Sequence, residues 1–208
     1  MRYFLFFAFT LFFACNSKLE TVETTNDFGY LIKYQRSKTD FAKQGLYTAF
    51  YPSGEKYEEA NYLNDTLHGE RKLYYESGDL ELVENYNMGA IDAAFNRYFQ
   101  DGTLQQEGVY KDNIAVGEWK KYYKNGQLEE LVTLVDNEEN GPFQEFYENG
   151  NMKAEGNYKG FDEEANRPRE HGLLKMYDEE GTLVKKMNCE LGICRTIWTL
   201  EDGDVKKD

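Results

Sequence analysis

The chain holds two histidines, His68 and His171, and three cysteines, Cys15, Cys189 and Cys194. Its other candidates for chemistry are neighbouring carboxylates: Glu58-Glu59, Glu129-Glu130, Glu138-Glu139 and Asp162-Glu163-Glu164. Two carboxyl groups converging on one substrate atom could share acid and base roles. Neighbours on a regular strand point to opposite faces, so these pairs are expected to diverge as solvated charge. Each histidine directly precedes a glycine, Gly69 or Gly172, at a place where Gln44, Asp92, Val116 and Asn140 also stand. A turn residue explains both. There is no Gly-x-Ser-x-Gly, no HExxH and no phosphate-cradling loop ahead of a helix. The expectation is a protein that is not an enzyme, with no catalytic residues, no metal and no cofactor.

The glycines set the frame. Gly54, Gly78, Gly102, Gly126 and Gly150 recur every 24 residues, and Gly181 follows after 31. Nine residues upstream of each stand Gly45, Gly69, Ala93, Gly117, Gly141 and Gly172. A unit this short cannot enclose a core and must stack on its neighbours. The residue before each turn glycine is Ser53, Ser77, Asp101, Asn125, Asn149 or Glu180. Such pairs predict two-residue type I′ hairpin turns. Each unit therefore reads as strand, tight turn, strand. The predicted fold is all-β: an elongated antiparallel sheet of about six 24-residue hairpin repeats starting near 45, 69, 93, 117, 141 and 172.

A two-residue turn assigns faces. On the expected buried face lie Tyr51, Tyr75, Phe99, Tyr123, Tyr147 and Asp178, opposite Lys56, Leu80, Leu104, Leu128, Met152 and Leu183. Further along it come Tyr62, Tyr86, Tyr110, Leu134, Tyr158 and Cys189, and mostly small residues such as Ala60, Gly108, Val132 and Gly156. The opposite face carries an unbroken aromatic column: Phe50, Tyr74, Tyr98, Tyr122, Phe146 and Tyr177. Its expected partners are mostly polar: Tyr57, Glu81, Gln105, Glu129, Lys153 and Val184. With two strands per unit, the rings recur roughly every 10 Å along a sheet on the order of 60 Å long. These six aromatics are the candidate binding residues. Either the sheet coils on itself or a partner covers one face.

Composition narrows the function. Seventeen tyrosines in 208 residues and 40% apolar content describe a folded chain. A net charge of −14 argues against nucleic acid and against adhesion to anionic lipid. At the N-terminus, Met1-Arg2 precede twelve uncharged residues and then Cys15. This is a signal segment too short to span a bilayer. Its Leu11-Phe-Phe-Ala-Cys15 end resembles a bacterial lipobox, which implies lipidation of Cys15 and a place in the cell envelope as a membrane-anchored lipoprotein. The expected organisation is a signal peptide over 1–14, a tether over 15–29, the repeat domain over 30–200 and a charged, frayed tail over 201–208. Tyr30 to Gln35 and Arg195 to Leu200 are the expected first and last strands. Gly160 to Glu170 is the expected surface loop, made by a seven-residue insertion. In an exported chain Cys189 and Cys194 are expected to pair as a disulfide. Two thiols lack the further ligands of a zinc site.

The unit is clearest in Gly117-Glu-Trp-Lys-Lys-Tyr-Tyr-Lys-Asn-Gly126-Gln-Leu and in Asn140-Gly-Pro-Phe-Gln-Glu-Phe-Tyr-Glu-Asn-Gly150. It resembles the MORN-type-2 repeat, also labelled the YwqK-family antitoxin repeat, from about Gly45 to Cys189. The resemblance implies an extended antiparallel sheet used for scaffolding and binding, and supplies no catalytic residues. The expected function is a non-catalytic, lipid-anchored envelope module that binds a protein or glycan partner. The alternative is an envelope immunity protein that neutralises a toxin.

Overall fold

The computed structural model describes residues 18–205. They form one antiparallel sheet of 19 strands, and none of them is helical. The chain runs as a meander, each strand pairing with those before and after it. Leu19–Thr25, Leu31–Ser37, Lys43–Phe50 and Lys56–Leu63 open the order. Leu80–Asn87, Leu104–Lys111, Ile114–Tyr122, Leu128–Val135, Glu138–Phe146, Met152–Asp162, Leu183–Glu190 and Ile193–Thr199 continue it. Three strands come in two pieces: Thr66–Leu67 with Gly69–Tyr74, Ala90–Ile91 with Ala93–Tyr98, and Arg167–Glu170 with Gly172–Tyr177. The breaks fall at His68, Asp92 and His171. Their N–H groups donate to the carbonyls of Asn61, Asn85 and Asn157, so these are bulges in a continuing strand.

The turn glycines do not close two-residue turns. Gly54 N–H donates to the Tyr51 carbonyl at 2.9 Å and Tyr51 N–H to the Glu55 carbonyl at 2.8 Å, and the other five units repeat this pattern. Only the glycine has positive φ, between 84° and 97° across the six. This is a three-residue loop: a type I turn followed by a left-handed glycine. The type I′ turns lie at the opposite edge, between units, at Asn64-Asp65, Met88-Gly89, Asp112-Asn113, Asp136-Asn137 and Leu191-Gly192, each with both φ values positive. The longer loop, with a bulge beside it, moves the register by one. The aromatic column therefore pairs with apolar residues in five of its six places: Tyr74, Tyr98, Tyr122, Phe146 and Tyr177 with Leu80, Leu104, Leu128, Met152 and Leu183, while Phe50 pairs with Lys56.

The buried face is corrected accordingly. It is built from Ala49, Ala60, Leu82, Phe95, Ala115, Trp119, Val132, Phe143, Ala154 and Cys189, with Tyr110, Leu134, Tyr158 and Leu174 packed against its centre. The expected Val132, Ala60, Tyr110 and Tyr158 are there, but Tyr51 and its equivalents sit at the loops. No large side chain among the described residues is fully enclosed. Strands pack on their sheet neighbours, and this is a single layer. Glycine has a definite role in it. A Cβ on Gly108 would stand 2.2 Å from the Trp119 ring, and one on Gly156 would stand 2.9 Å from Phe143. The ring covers the bare backbone of its neighbour, as aromatic residues do beside strand glycines.

Two ladders join successive units. At the loop edge the hydroxyls of Tyr51, Tyr75, Tyr123 and Tyr147 donate to the carbonyls of Tyr74, Tyr98, Phe146 and Tyr177 in the next unit, at 2.7–2.9 Å. At the other edge Asp65, Asn113 and Asn137 accept the N–H groups of Lys43, Ile91 and Ala115 at 2.8 Å.

The ends differ from expectation. Leu19–Thr25, placed in a tether by its polarity, pairs residue for residue with Leu31–Ser37. Its β-branched Thr21, Val22, Thr24 and Thr25 suit a strand. Glu20 and Glu23 meet Arg36 and Lys33 at 2.7 and 3.1 Å, and Asn26 caps the turn by accepting from Phe28 and Tyr30 N–H. In the tail, Gly203–Asp204 pairs with Trp198 and Thr199. The insertion mostly lengthens a hairpin, with Asp162 opposite Arg167, and leaves only residues 163–166 as loop. Cys189 and Cys194 face each other beside the Leu191-Gly192 turn and are disulfide-bonded.

Candidate functional site

Phe50, Tyr74, Tyr98, Tyr122, Phe146 and Tyr177 occupy one pairing slot on the face opposite the core, and all are half-buried. One strand lies between each and the next. The ring-to-ring contacts lie elsewhere, as in Phe95–Trp119 and Phe143–Tyr158. Strand alternation sets lysines and glutamates between the column rings. Tyr122 donates its hydroxyl to Glu107 at 2.8 Å, and Lys120 approaches the same carboxylate at 3.2 Å. Tyr177 and Lys175 repeat the arrangement on Glu155, both at 2.8 Å. Burial and then the Glu107 charge push the Tyr122 phenol up to about 12, so it stays a neutral donor. The Tyr122 hydroxyl, followed by Lys120, holds Glu107 below the usual carboxylate range. Lys175, followed by Tyr177, does the same to Glu155. Lys56 lies over the Tyr74 ring at 5.3 Å and pairs with Glu59 at 2.6 Å.

Beside Glu155 the same face hollows into a groove of about 450 Å³. Leu131, Thr133, Gln144, Asn157, Leu173 and Lys175 line it. It presents an apolar floor with amide, hydroxyl and charged groups around it, as ligand clefts do. Sequence reading missed the groove because its members come from three units and no two share a motif.

Carboxylates do converge once, against expectation. The bulge at Glu129 breaks strand alternation, so Glu129 and Glu130 enter one hollow of about 220 Å³ with Glu145. Glu130 stands directly opposite Glu145. Lys121 holds Glu129 at 2.7 Å and Lys153 holds Glu145 at 2.9 Å. Burial, then Glu145, raises the Glu130 carboxyl above its ordinary range. Glu58 and Glu59 do diverge, to Arg71 and to Lys56. His68 accepts from Met88 N–H at 3.5 Å, while the buried Nδ1 of His171 has no hydrogen-bond partner among the described residues. Among the described residues no group of three or more His, Cys, Asp or Glu is placed to hold a metal. Cys15 lies outside the described residues.

Among curated proteins, none matches the chain. A family model described as the MORN repeat variant matches residues 43–64, 67–88, 92–112, 115–136, 139–159 and 170–188. Each match opens at the strand after an inter-unit turn and includes one glycine loop, so the matched unit is the hairpin seen in the structure. Together the matches take in more than half of the sequence, and the chain belongs to the MORN repeat variant family.

Proposed function

We propose that this chain is a non-catalytic module of the bacterial cell envelope, anchored by lipid on Cys15, whose outer face takes up a protein or glycan partner. Repeats of this family point to binding or scaffolding. The observation that carries the finer reading is the outer face itself: six aromatic rings in register and a groove of about 450 Å³, with no second layer over them among the described residues. Stacking on rings and hydrogen bonding to amides suit both sugars and peptide segments. The lysine-paired state of Glu129 and Glu145 favours binding over acid–base chemistry. Because a strand begins at Leu19, the lipidated residue would lie within about 14 Å of the sheet. The array would then stand close to the bilayer.

Capture from detergent-solubilised envelopes tests the reading. The Leu173→Glu and Tyr98→Ser double variant changes two outer-face positions, and Leu173 is 45% exposed. It should lose the species captured by the wild type while keeping a similar melting temperature. Identical capture by both proteins would reject the outer face as the binding surface. Metabolic labelling with a lipid precursor should mark the wild type and not Cys15→Ser.

A further inference from the structure

Lys43 opens the first unit at a place where the next three carry Leu67, Ile91 and Ala115. Among the described residues its ammonium finds no carboxylate. Instead it lies 5.0 Å from the ring centroid of Tyr62, 5.5 Å from Tyr34 and 5.7 Å from Tyr47. All three distances are inside the range, about 6 Å, over which a ring face attracts a cation. The sheet builds this enclosure deliberately. Tyr34 and Tyr47 are direct cross-strand partners with centroids 6.5 Å apart, and Tyr62 opposes Gly45 and meets Tyr47 at 5.5 Å. All three rings and Lys43 are half-exposed, so the enclosure opens to solvent.

Several rings around one cation is the arrangement by which proteins recognise quaternary ammonium groups. We propose that Tyr34, Tyr47 and Tyr62 form a cage for a methylated ammonium ligand, with the Lys43 ammonium as its resident, displaceable occupant. A primary ammonium is compact and strongly hydrated, and its flexible stem lets it return to water. A half-exposed contact of this kind favours the caged lysine over the free one by a factor of only about five. The lysine therefore weakens an incoming ligand by about that factor and does not exclude it. A trimethylated ammonium is wider, can touch all three rings together, and gives up less hydration. The cage lies on the core side of the first unit, away from the outer column. Its failure would leave the outer-face reading standing.

The probe is tetramethylammonium chloride, titrated into the full chain at ionic strength held constant with sodium chloride, with tyrosine fluorescence or amide chemical shifts as the readout. The wild type should show a saturable change centred on Tyr34, Tyr47 and Tyr62. Lys43→Ala should bind about fivefold more tightly, and adding Tyr47→Leu to it should abolish binding. Ammonium chloride should compete far less well. Lys43→Gln, which keeps the stem and removes the charge, should tighten binding in the same way and serves if the alanine variant is unfolded. Absence of saturation in a folded Lys43 variant overturns the proposal, as does binding that survives Tyr47→Leu or is no tighter without the lysine charge.

Discussion

One cross-strand slot is filled in two ways along the sheet. In the second unit it holds Arg71 opposite Glu84; in the third, fourth and fifth it holds Phe95 opposite Gly108, Trp119 opposite Val132, and Phe143 opposite Gly156. Arg71 also reaches Glu58, at 2.6 Å, and Glu84 at 2.9 Å, while the Tyr86 hydroxyl donates to Glu84 at 3.1 Å. The same backbone thus supports a charge network at one end and a continuous aromatic core in the middle. A desolvated ion network adds little net stability, because removing charges from water offsets their attraction. Aromatic burial is favourable outright. The difference teaches that the central units hold the array together, while the second unit fills the same slot with balanced charge that adds little.

Trp119 is 5% exposed and covers Gly108. Trp119→Ala should cost about 4 kcal/mol and lower the melting temperature by roughly 10 °C in calorimetry. Arg71→Phe alone should cost about 3 kcal/mol, because it leaves Glu58 and Glu84 without the cation that pairs them. The triple variant Glu58→Leu, Arg71→Phe, Glu84→Val copies the central pattern and should recover at least wild-type stability in the same melts. Failure of the triple variant to recover would mean that the network sets register as well as charge balance.

Smaller effects come from the third unit, which departs from its neighbours twice. Ala93 holds φ at 112° where the other units have glycine. Ala93→Gly should stabilise by about 1 kcal/mol. Phe99 interrupts the tyrosine ladder, so Phe99→Tyr should add one hydrogen bond to the Tyr122 carbonyl and up to about 1 kcal/mol. Last comes Glu130, a core-side carboxylate facing Glu145 with no arginine between them. A carboxyl whose folded pKa is raised destabilises the native state at neutral pH, and this cost fades as pH falls through the folded value. Glu130→Gln should therefore raise the melting temperature at pH 7 and blunt the wild type's gain on mild acidification.

Much of this was legible in the residues, for stated reasons. Glycine spacing fixes the unit because only glycine sits easily at positive φ in every loop. The hairpin array and the aromatic column follow from it. Turn type was misread because Asn125-Gly126 and Asn149-Gly150 imitate a type I′ pair. Of the true pairs, Met88-Gly89 and Leu191-Gly192 carry no Asn or Asp, and Asn64-Asp65, Asp112-Asn113 and Asp136-Asn137 carry no glycine; Pro52, suited to the second position of a type I turn, was the available clue. Once the register moved by one, the column's partners moved with it. The Arg71 network, the groove and the tyrosine cage join residues from different strands across bulges. No local pattern encodes such meetings. The edge strand at Leu19 was hidden by its charge, although its β-branched Thr21, Val22, Thr24 and Thr25 were in plain sight.

Each strand leans only on the next, and the thickest packing lies around Trp119. Such a molecule has no single on–off folding switch spread evenly through it. Opening should start at the two ends and travel inward, like a zip with its teeth closest at the middle. Amide exchange would be fast at Leu19 and at Gly203, and slowest near Val132. A partner that grips the outer face across several units would then act as a splint, slowing exchange at positions it never touches.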